Sequence, residues 1–235
     1  MITVVISTSN RLHYLKKTMS DLTRFEEIID KIIVLSFNDF KTKNYIKYKF
    51  SKKFKELIII HSRCNFELEN SIRQLSFLNQ KLIKNSKYIW FMNDKDRILS
   101  KNCNSVKMIL TKNINGLTLN DHSLKEPFLK EQKKNNLDLF NLEKGIHKLG
   151  LISSQILNKN LFFKYSKQTK LSAYYLSEII LKIIINEKKW FFSHQKIIGY
   201  THLDIDKNRD KLNLRYLNYR TEQEFNFYVL TLNKI

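Results

Sequence analysis

Two carboxylates one residue apart, Asp94 and Asp96, are the side chains of this sequence best placed to do chemistry. They follow a run of apolar, mostly aromatic or β-branched residues, Tyr88 to Met92, after which the chain turns polar at Asn93, Asp94, Lys95 and Asp96. A short, uniformly apolar run suits a strand buried on both faces of a sheet. Acids at the carboxyl end of such a strand lie where open α/β sheets place their ligands. Residues two apart at a strand end point to the same side, so the pair can address one divalent cation, or one cation and a ribose. Taken alone, the triplet is also compatible with a plain polar turn after a core strand.

Three earlier apolar runs end in the same way. Ile2 to Ser7 reads as a strand leading into Thr8, Ser9, Asn10 and Arg11, and a helical run follows from Leu12 to Leu22. Polar residues at such a junction either cap the helix or, with its free N–H groups, seat a phosphate or a base edge. A second strand, Ile32 to Leu35, ends in Ser36, Phe37, Asn38 and Asp39, and a third, Leu57 to Ile60, ends in His61, Ser62, Arg63 and Asn65. Helical spacing from Glu69 to Lys84 separates the third strand from the fourth. Strand, helix, strand, basic segment, strand, helix, strand is the alternation of a mostly parallel sheet covered by helices. Its polar strand ends converge on one edge, forming a crevice that fits a nucleotide. The sequence contains neither G-x-G-x-x-G nor a Walker A loop.

Beyond Leu99, Gly116 to Asn120 predicts a short strand delivering Asp121 and His122. The charged segment 123–148, which holds Pro127, reads as a connection or lid. Helical patterns are expected over Ile152 to Leu161 and Ser172 to Asn186, then strands over Trp190 to Ser193 and Lys196 to His202. An amphipathic helix is expected between about Asp210 and Leu232.

Lys and Arg outnumber Asp and Glu by 42 to 22, a formal charge of +20, which permits phosphorylated ligands, polyanions or an anionic membrane as partners. Heavy use of Lys, Asn, Ile and Phe with 4 Gly and 1 Pro also fits an AT-rich coding bias, so the charge is weak evidence for nucleic acid. The basic stretch Lys41 to Lys55, with Tyr45, Tyr48, Phe50 and Phe54, is either a surface for peripheral contact with an anionic membrane or a solvated helix. Cys64 and Cys103 build neither a disulfide framework nor a zinc site. No run approaches the ~18 apolar residues of a membrane span, and a cytoplasmic protein is expected, at most peripheral to the inner face of the plasma membrane.

The segments ITVVISTSNRLHYLKKTM, IIVLSFND, RCNFELENSIR and YIWFMNDKDRI, in that order and spacing, resemble family-2-type glycosyltransferases with a GT-A fold. Within them the chain is most similar to bacterial transferases that build O-antigen lipopolysaccharide and capsular polysaccharides, including abequosyltransferase-like enzymes. The resemblance runs from residue 1 to about 120 and thins afterwards. It implies a Rossmann-like GT-A sheet in a single large domain, with residues 1–120 as the nucleotide-sugar half. Residues 121–235 then make the acceptor half and a helical C-terminal part. It further implies transfer of a hexosyl or deoxyhexosyl group, with inversion, to a saccharide or lipid-linked saccharide. A Mn or Mg ion, bound as a Lewis acid, would neutralise the departing phosphate.

The resemblance assigns the metal to Asp96, with Asp94 on the ribose or metal and His202 closing the metal or diphosphate site. Thr8, Asn10 and Arg11 stand at the nucleoside end of the first strand, and Asn65 and Arg73 near the base or phosphate. Where relatives carry an acid directly after the second strand, this chain has Ser36, with Asn38 and Asp39 just beyond. Glu178 matches the acid that takes the acceptor's proton, and Asp121 and His122 are rival bases. Other readings are nucleotidyl transfer, which needs a Gly-rich loop that Thr8 to His13 lacks, a basic nucleic-acid-binding protein, and an inactive fold.

Overall fold

The strand β1 (Ile2–Ser9) is flanked on both sides by parallel neighbours, β2 (Ile29–Phe37) and β4 (Tyr88–Asn93), and Val4, Val5 and Ile6 are fully buried. The computed structural model describes residues 1–9, 11–37, 40–62, 81–99, 103–121, 149, 151–169, 175–187 and 189–200. Over these the remaining strands are β3 (Leu57–Ser62), β5 (Asp96–Ile98), β6 (Gly116–Asp121), β7 (Gln155–Asn158) and β8 (Trp190–Tyr200). The helices are α1 (Leu12–Leu22), α2 (Phe40–Phe50), α3 (Cys103–Leu110), α4 (Lys159–Ser166) and α5 (Tyr175–Glu187).

The strands form one sheet in the order β3-β2-β1-β4-β7-β6-β8-β5. β3, β2, β1 and β4 run parallel, as do β6 and β8, while β7 is antiparallel to β4 and β6 and β5 is antiparallel to β8. This is the mostly parallel α/β sheet that the alternation of patterns predicts.

Burial on both faces explains the unbroken apolar runs. Ile2, Val4, Ile6, Ile32, Val34, Trp90 and Met92 alternate onto one face, where Leu15, Met19 and Leu22 of α1 meet them. Val5, Ile33, Ile89 and Phe91 fill the opposite face, where Phe91 packs on Phe162 of α4 with ring centroids 5.4 Å apart. Burying a side chain of this size is worth roughly 1.5–3 kcal/mol, and the matched burial of both faces holds the register of the central strands.

β4 and β5 are joined only by Asp94 and Lys95, yet β5 pairs at the far end of the strand order, on β8. Two residues reach no further than about 7 Å, so the sheet curls until its last edge returns to the tip of β4.

Three expectations change. Ile152 to Leu161 is not one helix: a 3₁₀ turn (Ile152–Ser154) leads into β7, and α4 starts only at Lys159. The reason is tertiary, because Ile156 pairs with Trp90 on one side and Leu117 on the other. Asn158 ends the strand and caps α4, its Oδ1 accepting from the N–H groups of Asn160 and Leu161. Second, Trp190 onward is a single strand through Tyr200, and the register shifts against β6 around Asn120. Third, of the aromatics in the basic stretch, Phe50 and Phe54 belong to the core, and Tyr48 alone among the described ones is fully displayed, at 91% exposure. The predicted lid, the C-terminal helix and most of the helix at 69–84 lie outside the described residues. Among the described residues no helix is long and apolar enough to cross a membrane.

Candidate active site

Parallel register brings the polar strand ends together. Thr8 stands opposite Ser36 on β2, Ser7 opposite Asn93 on β4, and Ser36 opposite His61 on β3. Thr8 and Ser36 are buried at these strand ends. α1 begins just after β1 with Arg11 as its N-cap residue, whose side chain makes no cap hydrogen bond.

Asp94 and Asp96 flank the turn between β4 and β5 and are 1% and 4% exposed. Their surroundings differ. Asp96 Oδ2 accepts from the Ser153 hydroxyl and, at 3.3 Å, from Asn93 Nδ2. The same Ser153 oxygen accepts from the Asn93 N–H at 2.9 Å, tying the turn before β7 to the tip of β4. Burial pushes the Asp96 carboxyl up to about 6, against the pull of the Ser153 and Asn93 hydrogen bonds and helped by the nearby charge of Asp94. Asp94 is also raised by burial, opposed by Arg11, the Thr8 hydroxyl and Lys95. Arg11 Nε lies 3.0 Å from Asp94 Oδ2, an ion pair without hydrogen-bond alignment. Both Asp94 oxygens, Thr8 Oγ1 and Arg11 Nε are buried with no aligned hydrogen-bond partner.

α1 braces this turn through two residues. Thr18 Oγ1 lies 2.7 Å from the Asp94 carbonyl oxygen and 2.8 Å from that of Asp96, so one hydroxyl proton serves both ends of the turn. Asp21 accepts from Arg97 Nε at 2.5 Å and Nη2 at 3.0 Å and from the Ile98 N–H at 3.1 Å, and it also pairs with Arg24. These bonds fix β5. Both residues fall on the face of α1 that carries Leu15, Met19 and Leu22, and polar groups at core-facing helical positions were the signal available for them. Ser153 carried none, because its segment has helical spacing.

Of the expected site residues, the structure joins Thr8, Arg11, Asp94 and Asp96 and sets Ser36 beside Thr8 in the sheet. Asp121 ends β6, paired with Ile198 of β8. Glu178 lies in the first turn of α5, half-buried, with its Oε1 3.0 Å from Lys182 Nζ. Asn10, Asn38, Asp39, Asn65, Arg73, His122 and His202 lie outside the described residues.

The acid pair suits a hard divalent cation. Among the described residues neither Asp94 oxygen receives an aligned hydrogen bond and Arg11 is its ion-pair partner, so the carboxylate keeps acceptor capacity for a bound cation. Among the described residues no third His, Cys, Asp or Glu joins them. A phosphate-bearing ligand supplying the remaining oxygens is the usual complement of such a two-acid site.

The strand order, with polar residues at the carboxyl ends of β1, β2 and β4 and the acid turn after β4, is that of the GT-A, Rossmann-like fold. Residues 1–349 of TarS from S. aureus superpose on it with a TM-score of 0.63 at 12% identity, over 85% of this chain and 60% of that one. The mannosyltransferase PcManGT from Pyrobaculum calidifontis, solved with GDP-Man and Mn2+, gives 0.55 at 8% identity, over 84% and 56%. The 4-diphosphocytidyl-2C-methyl-D-erythritol synthase from Anaerococcus prevotii gives 0.51 at 12%, over 87% and 91%. The chain thus spans about three fifths of the TarS segment. No protein-family model matches the sequence, and no curated protein matches it.

Proposed function

We propose that this chain is a metal-dependent glycosyltransferase that moves a sugar, with inversion, from a nucleotide donor to a saccharide or lipid-linked saccharide of a cell-surface polysaccharide. The observation that carries this reading is the buried pair Asp94 and Asp96, the Asp94 oxygens receiving no aligned hydrogen bond among the described residues, at the convergent ends of β1, β2 and β4. TarS has also been solved with UDP, and PcManGT with GDP-Man and Mn2+, on the same fold. Mn or Mg held by Asp94 and Asp96 would stabilise the negative charge of the departing nucleoside phosphate. Thr8, Arg11 and Ser36 face the nucleoside and phosphates, with Asn10, Asn38, Asp39, Asn65, Arg73 and His202 proposed to complete that half. Ser153 and Asn93 hold Asp96 in place. Glu178 or Asp121 takes the acceptor hydroxyl's proton, and E178Q and D121N separate the two by which one abolishes transfer while sparing donor binding.

Thermal denaturation with nucleoside diphosphates and nucleotide sugars, with and without Mn, tests the proposal. The expected result is a stabilisation by one base that requires Mn; a ligand at a hundred times its Kd contributes about 2.7 kcal/mol. The shift should vanish in D96A. A Mn-dependent shift that survives D96A removes the metal assignment.

Nucleotidyl transfer is the second reading, supported by the synthase that shares the fold. The released group decides between them. Sugar transfer liberates a nucleoside phosphate or diphosphate, whereas nucleotidyl transfer from a triphosphate liberates pyrophosphate.

A further inference from the structure

Asp94 and Asp21 are both buried acids beside arginines, and they are served very differently. Asp21 is surrounded by directed bonds from Arg97, Arg24 and the Ile98 N–H. Among the described residues the cation in ion-pair contact with Asp94 is Arg11, at 3.0 Å, and that contact has no hydrogen-bond alignment. A guanidinium normally forks two aligned N–H groups onto a carboxylate. Arg11 touches Asp94 without using that geometry.

Two further observations bear on what this contact is for. Arg11 Nε is buried, whereas the side chain as a whole is 37% exposed, so the guanidinium sits between the buried strand ends and solvent. Its backbone is held, because the Arg11 carbonyl accepts from the N–H groups of Tyr14 and Leu15 in the first turn of α1. The side chain can therefore turn while the main chain stays. Among the described residues no other acid pairs with Arg11.

A divalent cation on Asp94, bound through Oδ1 or Oδ2, would share the carboxylate that Arg11 now faces through Oδ2. Like charges 4 Å apart repel by about 4 kcal/mol per unit pair at an effective dielectric of 20, and the cation carries two. That repulsion sets the cation and the guanidinium against each other at one carboxylate. We propose that Arg11 is the resident counter-ion of Asp94 in the metal-free protein, and that a divalent cation binds there only by displacing the Arg11 guanidinium toward solvent. This rests on the metal-binding reading of Asp94 and Asp96 given above. Arg11 is then a positioning residue: it keeps a buried acid paired until a cation binds and holds back loading by metal alone. Lys95, the other cation near Asp94, does not fill this role, since its Nζ lies over the Tyr14 ring, 5.7 Å from the centroid.

The test is calorimetric titration of MnCl2, without nucleotide, into the wild-type protein, R11Q, R11K and D94N at neutral pH. R11Q should bind Mn about tenfold more tightly than wild type, the direction required when a competing cation is removed. R11K keeps the charge and should stay near wild type, and D94N should lose the site. Equal or weaker Mn binding by R11Q, with D94N still defective, overturns the role of Arg11 and leaves the metal reading standing. No Mn binding by any of the four proteins overturns both. A second measurement needs no variant: in wild type, the Arg11 Nε nuclear magnetic resonance signal should move toward that of a solvated arginine as Mg is added. A signal unchanged at saturating Mg counts against displacement.

Discussion

Ser153 decides how Asp96 behaves. Its hydroxyl donates to Asp96 and accepts from the Asn93 N–H, so S153A breaks two buried contacts at once. A loss of about 2–3 kcal/mol is expected, within the range for leaving buried partners unpaired, and is measurable by chemical denaturation. The ionisation of Asp96 gives a second prediction. Its carboxyl sits at about 6 in the fold against an ordinary 3.8, so the native state holds a proton that the unfolded chain has released. That contribution is fully present below about pH 4 and is lost as pH rises through about 6, with a ceiling of about 3 kcal/mol. The difference in stability between wild type and D96N should therefore change across this window and be flat above it. A difference independent of pH would show that Asp96 ionises like an exposed acid.

At the scale of elements, two glycines make a matched comparison. Gly116 on β6 lies directly opposite Trp190 on β8, and a Cβ there would fall inside the indole ring. That ring is buried and its Nε1 donates to Thr118 Oγ1 at 3.0 Å, so it has nowhere to move. G116A should cost about 2–3 kcal/mol, as overpacking does. A Cβ on Gly199 would meet the Leu99 side chain at 2.7 Å, but Leu99 is 46% exposed and can swing aside. G199A should cost less than about 1 kcal/mol. Equal melting temperatures for the two variants would contradict this picture of the β6–β8 contact.

The elements that pack on the core were legible in the sequence where pattern and tertiary role agree. α1 spans Leu12 to Leu22 as its spacing predicts, and the four parallel strands fall where the apolar runs lie. Legibility fails where pairing decides. QILN at 155–158 is strand only because β4 and β6 leave a slot between them, and no local pattern announces that slot. The site divides the same way. Asp94 and Asp96 were readable because they follow the strand they depend on, while Ser153 reaches them from 57 residues away.

For the whole molecule, the +20 charge is most concentrated around α2. There Lys47, Tyr48, Lys49 and Lys52 surround a shallow groove with Asn44 and Ser51. Phe50 and Phe54 face inward, and Tyr45 is half-buried with Lys16 Nζ 4.2 Å from its ring centroid. Any contact with an anionic bilayer through this face thus relies on one aromatic, Tyr48, and on lysines worth about 1 kcal/mol each near such a surface. Flotation with phosphatidylglycerol vesicles should retain the wild-type protein, and retention should fall in a K47Q/K49Q/K52Q variant and to a lesser degree in Y48A. Equal partition onto neutral and anionic vesicles would remove this role for α2.

The two-residue link between β4 and β5 governs the order in which the protein is completed. Asp96 pairs with Tyr200 and the Leu99 N–H with the Ile197 carbonyl, contacts that close loops of about a hundred residues, and such loops form late. During synthesis Asp94 and Asp96 emerge long before β8 exists, so β5 waits for its strand partner. A nascent chain arrested before Trp190 would lack the strand that anchors β5. The acid turn thus has two kinds of support, the bonds from α1 and Ser153 that are made first and the strand pairing on β8 that comes last.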